Sequence, residues 1–152
     1  MAERIIGDMK IRDVHRMIVE NAATIGPDSS MRQLLERIVE DPRTRHAYVI
    51  DENNRLIGSI RLNTVLRRLF PMITAIPSEG GMLTLLSYLS AEKVRDLMNT
   101  NPSSVREDNT VADAVQLMTQ EQVNELPVVN DSGEVVGEIN FLEIIAAYLK
   151  QM

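Results

Sequence analysis

Side chains able to do acid–base, nucleophilic or metal chemistry are few in this 152-residue chain. His15 and His46 are the only imidazoles, and neither has metal-ligand spacing or a nucleophile set beside it by a motif. His15 is expected as a partly exposed helical residue. The lack of cysteine excludes disulfides, thiol chemistry and thiolate zinc sites. The acid pairs Glu3 with Asp8 and Glu107 with Asp108 read as solvated faces. Gly80-Gly81 lacks the Lys-Ser/Thr that completes a phosphate loop. No constellation for catalysis stands out, so the informative polar residues are those that could hold a ligand without transforming it.

Composition narrows the partners. Hydrophobic residues make up 44% and charged residues 25%, which is globular usage, while aromatics stand at only 3%. The core must therefore be built from Leu, Ile, Val, Met and Ala. A net charge of −6, with scattered Lys and Arg, argues against nucleic acid or an anionic membrane surface as a partner. No apolar run approaches a membrane span, and Met1-Ala2-Glu3-Arg4 lacks a signal-peptide pattern, so a cytoplasmic location is expected.

The elements that position the polar residues come in duplicate. Laid on itself at a shift of about 80 residues, the chain repeats its pattern. Lys10-Ile11-Arg12-Asp13-Val14 matches Lys93-Val94-Arg95-Asp96-Leu97, and Thr24-Ile25 opens the strand that Ser104-Val105 opens again. Met31, Leu34, Leu35, Ile38 and Val39 form a helical stripe that Val111, Ala114, Val115 and Met118 repeat. Ser30 with Gln33, and Thr110 with Asp113, are N-capping signatures for these helices.

A hairpin follows each helix. Ala47-Tyr48-Val49-Ile50 and Leu126-Pro127-Val128-Val129 end at Asp51-Glu52-Asn53-Asn54 and Asn130-Asp131-Ser132-Gly133. The return strands, Leu56-Ile57-Gly58-Ser59-Ile60 and Val135-Val136-Gly137-Glu138-Ile139, carry a mid-strand glycine, which weakens a strand unless backbone or ligand comes close. Apolar residues at Leu62, Val65, Leu66 and Leu69, and at Phe141, Ile144, Ile145, Tyr148 and Leu149, then predict a closing helix in each copy.

The fold expected is α+β, with two β-α-β-β-α units packed face to face about a pseudo-two-fold axis. Residues 1–70 form the first unit with an N-terminal helix, 71–90 a connector and apolar linker helix, and 91–152 the second unit. Pro71 to Gly81 reads as the connector, punctuated by two prolines and a glycine pair, with a helix following near Met82 to Met98. The apolar stretch 82–90 has two readings, packing on its own module or a subunit interface.

Apolar-x-Arg-Asp-apolar, then strand, helix, Leu-Pro-Val-Val, turn, apolar-Gly-x-Ile and a final helix resembles the cystathionine β-synthase (CBS) domain, and the tandem pair resembles a Bateman module. The resemblance covers roughly residues 9 to 150 and is most specific from Leu126 to Ile139. It departs in the first copy, with Tyr48 at the usual proline position and three extra residues between Asp13 and Thr24. The resemblance implies a non-catalytic module that binds AMP, ADP, ATP, S-adenosylmethionine or a related molecule. Such a module would need no cofactor, would form a homodimer, and would regulate a partner enzyme or transporter through ligand-dependent rearrangement.

In nucleotide-binding relatives the second strand ends Gly-x-apolar-Thr/Ser-x-x-Asp, with the hydroxyl meeting phosphate and the Asp accepting from the ribose diol. Here Arg61 and Thr64 stand at those positions in the first copy, and Asn140 and Glu143 in the second. Arg61 suits phosphate, and Glu143 can accept a diol. The residue ahead of the preceding strand, facing the same cleft in relatives, is His46 in the first copy and Glu125 in the second. His46 with Arg61 would favour an anion, and Glu125 with Glu143 a cation, an amine or a diol. Thr24 and Ser104 would add hydroxyl contacts. The competing reading of such residues is as strand-end or solvent-facing polar groups, and that of the chain is a structural dimerisation module that has lost its ligand.

Overall fold

The computed structural model describes residues 6–15, 22–41, 44–74 and 81–150. The first copy runs β1 (Thr24–Ile25), α1 (Met31–Glu40), β2 (His46–Ile50), β3 (Leu56–Arg61) and α2 (Leu62–Thr74). Two helices follow, α3 (Gly81–Ala91) and the single turn α4 (Val94–Leu97). The second copy runs β4 (Val105–Arg106), α5 (Val111–Glu121), β5 (Glu125–Val129), β6 (Val135–Asn140) and α6 (Phe141–Lys150). Each copy is thus β-α-β-β-α, and its strands form one three-stranded sheet, in the orders β1-β2-β3 and β4-β5-β6. In each, the short opening strand pairs parallel with the strand after the helix, Thr24 opposite Tyr48 and Val105 opposite Val128.

Local chemistry sets these boundaries. Ser30 Oγ accepts the Gln33 N–H at 3.2 Å while Gln33 Oε1 accepts the Ser30 N–H at 2.8 Å, so two N–H groups that the helix cannot satisfy are paired reciprocally. Thr110 and Asp113 do the same at α5, at 3.2 and 2.9 Å. The Thr110 backbone N–H is also the first cause that holds the Asp113 carboxyl below its ordinary value of 3.8. The hairpin turns place Asn54 (φ 64°) and Gly133 (φ 80°), repeat-equivalent residues, in the left-handed region that Asn and Gly tolerate best.

The chain divides into two compact units whose sequence segments interleave. One holds Ala23–Asn53 and Ile57–Pro102; the other holds Met1–Ala22, Asn54–Leu56 and Ser103–Met152. The opening turn of each repeat therefore belongs to the unit built on the other repeat's sheet. In the first-copy unit, Met31 N–H donates to Glu92 O, Val94 N–H to Ser29 O and Arg95 N–H to Pro27 O, each at 2.9 Å. In the second-copy unit the equivalent bonds recur at 2.8 to 3.0 Å: Val111 N–H to Met9 O, Ile11 N–H to Asn109 O and Arg12 N–H to Glu107 O. Val94 completes the core of Met31, Leu34, Ala47, Val49, Ile60, Val65 and Leu69. Ile11 and Val14 complete the core of Val111, Ala114, Met118, Leu126, Val128, Ile139 and Ile144.

This exchange corrects three local expectations. The helix expected from Met82 to Met98 is broken, because Glu92 and Lys93 leave α3 to pair with the start of α1, with Lys93 extended opposite Ser30. His15, expected as partly exposed and helical, is only 7% exposed and follows a 3-10 turn (Ile11–Asp13), with Nε2 3.3 Å from Glu107 Oε2. An N-terminal helix is not what residues 6–15 form: they make two such turns, Ile6–Asp8 and Ile11–Asp13, and the remaining N-terminal residues lie outside the described ones.

A fourth difference has a local cause. Pro71 is not in a connector but inside α2, where its ring costs only one backbone bond near the helix end and Thr74 Oγ1 donates to the Phe70 and Pro71 carbonyls. Residues 75–80 of the expected connector lie outside the described ones. Within the stretch 82–90, Leu85, Tyr88 and Leu89 pack on the first-copy core, which meets the first of its two readings, while Leu83 and Leu86 are exposed. Arg68 fastens the two helices, its Nη2 2.8 Å from Glu92 Oε1 and its Nε donating to Tyr88 Oη at 3.1 Å.

Two outcomes follow. Ile11→Ala removes a fully buried side chain from the second-copy unit, so chemical denaturation will show a loss of roughly 2–5 kcal/mol, the range for such truncations. Hydrogen exchange will locate the loss of protection in α5 and β4–β6 rather than β1–β3. Because the Asp113 carboxyl is lowered on folding, its contribution is present above about pH 4 and is lost as pH falls through the folded value. Asp113→Asn will therefore flatten the acid limb of a stability-against-pH curve.

Candidate functional site

The eight polar residues marked by the sequence fall into two sets of four, one on each copy, and the strands fix which face most of them take. Directly opposed residues of an antiparallel ladder share a face, and successive residues alternate. In the second copy Leu126 faces Ile139 on the core side, which puts the next pair, Glu125 opposite Asn140, on the other side. Glu138, opposite Pro127, shares that side with Asn140. In the first copy Ala47, Val49 and Ile60 take the core side, so His46, Tyr48, Ser59 and Arg61 take the other. The Leu62 N–H bonds Arg45 O at 2.9 Å, closing the end of β3 onto the start of β2 beside Arg61 and His46.

The two sets differ in burial as well as charge. In the second copy Glu125 and Glu138 are 5% exposed, Asn140 8% and Glu143 0%. Asn140 and Glu143 bond reciprocally: Asn140 Oδ1 accepts the Glu143 N–H at 2.9 Å, and Glu143 Oε1 accepts the Asn140 N–H at 3.1 Å. This is the capping-box geometry of α1 and α5 repeated at the start of α6. Ser104, just ahead of β4, is half-buried. In the first copy Arg61 is exposed, while His46, Thr24 and Thr64 are half-buried. The His46 ring stacks parallel on Tyr48 with centroids 6.0 Å apart. The Thr24 carbonyl accepts Arg37 Nε at 3.3 Å.

Sequence reasoning missed Glu138, although its place two residues before Asn140 puts it on the same face by strand alternation alone. It also missed a concavity of about 380 Å³ beside the C-terminal turn of α5, lined by Val115, Met118, Thr119, Gln122, Val123, Asn124 and Phe141. None of the eight marked residues lines it. The mid-strand glycine of β3 has a backbone neighbour: Ser59 and Asn99 exchange N–H···O bonds of 3.1 and 2.8 Å. A Cβ on Gly58 would stand 2.6 Å from the Met98 sulfur and 3.1 Å from the Asn99 carbonyl oxygen. Gly58 therefore serves chain packing. Among the described residues no group of three or more His, Asp or Glu could hold a metal ion, and no helix is long and apolar enough to cross a membrane.

The first-copy set offers a guanidinium, an imidazole and two hydroxyls, which can bind an anion through charge and hydrogen bonds. The second-copy set offers carboxylate and amide groups held in buried positions. Neither set aligns a nucleophile with a base.

Comparison with known proteins agrees with the repeat. A CBS-domain-containing protein of Thermotoga maritima is 31% identical, its structure superposing with a TM-score of 0.72 over 93% of this chain and 95% of that one. The CBS-pair protein CBSX2 of Arabidopsis thaliana, solved in complex with AMP, is 25% identical, with a TM-score of 0.69 over 93% and 96% of the two chains. The uncharacterised protein MJ1426 of Methanocaldococcus jannaschii is 34% identical over 79 residues, 52% of this chain and 46% of that protein. The chain spans less than half the length of this and the other curated relatives it matches. The profile of the CBS domain matches residues 11–71 and again 94–150. With two matched copies that fold as two β-α-β-β-α motifs, the chain belongs to the CBS domain family and is a CBS pair, or Bateman module.

Proposed function

We propose that this CBS pair is a non-catalytic regulatory module that binds an adenosine-bearing molecule and passes its occupancy to a partner enzyme or transporter. The observation that carries the reading is the first-copy face. Arg61 and His46 share one side of the β2–β3 end, with Thr24 on the adjacent strand and Thr64 in the first turn of α2, and Arg61 is open to solvent. A guanidinium of that exposure suits a phosphate, and the hydroxyls supply the neutral hydrogen bonds that a sugar or base requires. The AMP bound to CBSX2 supports an adenosine ligand. S-adenosylmethionine is the alternative ligand of the same class. The function requires no catalytic cofactor, and the setting proposed is the cytoplasm.

A structural dimerisation role has its own observation. Leu66 and Phe70 on α2 are 56% and 60% exposed, and their repeat equivalents on α6, Ile145 and Leu149, are 37% and 60% exposed. Solvent-facing apolar stripes at matching positions suit self-association as a homodimer. The two roles are compatible, since a ligand-binding pair can also dimerise.

A ligand that binds only the folded state raises its stability by mass action. Thermal unfolding of the full chain with AMP, ADP, ATP, S-adenosylmethionine and Mg²⁺ in turn is expected to show a rise of several degrees with at least one adenosine compound. At a ligand concentration one hundred times Kd the stabilisation is about 2.7 kcal/mol. A flat response across the whole panel, with dimers present by sedimentation, would leave the structural role as the function.

A further inference from the structure

We infer that the chain pairs head to tail with a second copy of itself, the apolar stripe of α2 in one protomer seating on α6 and the end of α5 in its partner, and that the unequal charge of the two compact units selects this orientation. The inference rests on the dimerisation role above and specifies its surface and its direction. On α2, Leu66, Phe70 and Ile73 fall at i, i+4 and i+7, one face of the helix, and are 56%, 60% and 48% exposed. On α6, Phe141, Ile145, Tyr148 and Leu149 fall at i, i+4, i+7 and i+8 and are between 37% and 60% exposed. The α6 stripe runs into the concavity of about 380 Å³ beside the last turn of α5, because Phe141 belongs to both. An exposed aromatic ring on α2 thus has a hollow with the apolar walls of Val115, Met118 and Phe141 to enter, the pairing of anchor and pocket that concentrates binding energy at an interface.

Charge decides the orientation. The unit that holds Met1–Ala22, Asn54–Leu56 and Ser103–Met152 carries thirteen acids and seven bases, and the unit that holds Ala23–Asn53 and Ile57–Pro102 carries nine of each. The whole formal net charge of −6 therefore lies on the unit that bears α5 and α6, while the unit that bears α2 is neutral. Ion pairs within a unit cancel in this count, so the difference holds whichever acids are paired there. Two chains joined α6 to α6 would set −6 against −6, and like charge across an interface disfavours it. Joined α2 to α2, they would leave the α6 stripe and its hollow open to water. Joined α2 to α6, each acidic unit meets a neutral one, and the exposed Arg67 beside Leu66 brings a positive charge to the edge of the contact. A two-fold axis makes the two contacts equal, so the assembly closes as a dimer.

The chain has no cysteine, so a single cysteine placed on either stripe reports its neighbour across the interface. Leu66→Cys and Ile145→Cys, both at exposed positions, are treated with a short bis-maleimide, each alone and then mixed, and mass spectrometry identifies the linked pair. The mixture is expected to yield chiefly the mixed dimer, with each variant alone linking at least tenfold less. Sedimentation of the full chain is expected to show dimers whose dissociation constant rises at least tenfold with Phe70→Ala. Leu83→Ala, which truncates a 69% exposed side chain on α3 outside the stripe, is expected to leave that constant within about twofold. A dimer in which Leu66→Cys or Ile145→Cys links to itself in preference to the other would sink the orientation and leave the dimerisation role standing. A dimer weakened by Leu83→Ala and not by Phe70→Ala would move the interface to α3 and overturn the inference in the same way. A monomer at every concentration would sink the inference and the dimerisation role together.

Discussion

The exchange of opening turns is the constraint on which the rest of the chain depends. A β-α-β-β-α motif leaves the start of its first helix and one margin of its core uncovered, and here neither copy covers them with its own sequence. Val94 enters the first-copy core and Ile11 with Val14 the second, each turn held by three backbone hydrogen bonds at matching positions. Burial of such side chains is worth roughly 1.5–3 kcal/mol each, and the backbone bonds supply direction that burial lacks. A single repeat would therefore lack both an apolar anchor and the partners of its loop N–H groups. The unit of folding is the pair, which explains why the chain must cross between its compact units more than once.

The same chemistry of helix starts explains how the two copies come to differ. At α1, α5 and α6 a short polar side chain at the N-cap accepts the backbone N–H three residues on, whose side chain in turn accepts the N-cap N–H. At α6 the two residues doing this also stand at the positions that the family resemblance assigns to phosphate and ribose. An amide and a carboxylate can serve either purpose, and one oxygen on each is already engaged in the cap. At α2 Arg61 cannot serve such a cap, because a guanidinium has no acceptor for a backbone N–H.

Most of the fold was legible in the sequence because its signals are local. The capping pairs, the turn residues at Asn54 and Gly133 and the alternation along the strands act over a few residues and appear where the pattern places them, as do the helices, although Val39 at the end of the first apolar stripe is exposed. What escaped depends on contacts distant in sequence. The break at Glu92 and Lys93 exists because the start of α1 captures them, and His15 is buried because its turn closes a unit whose strands lie some ninety residues on. Pro71 escaped for another reason: a proline reads as punctuation, although near a helix end it removes only one bond. For the candidate site, residue identity was legible and burial was not. Glu143 and Arg61 look like comparable ligand residues on the page, and only the register and the cap separate a fully buried acid from an exposed base.

The apolar surface bears on how occupancy could be passed on. α2 begins at the residue after Arg61, and Leu66 and Phe70 lie one and two turns further along the same helix. On the proposed reading, a ligand held by Arg61 would act on the end of the element that carries this exposed stripe. A helix transmits displacement as a nearly rigid rod, so binding that reorients the first turn reorients the stripe as well. On α6 the corresponding end carries the Asn140–Glu143 cap, with Ile145 and Leu149 exposed further along the helix.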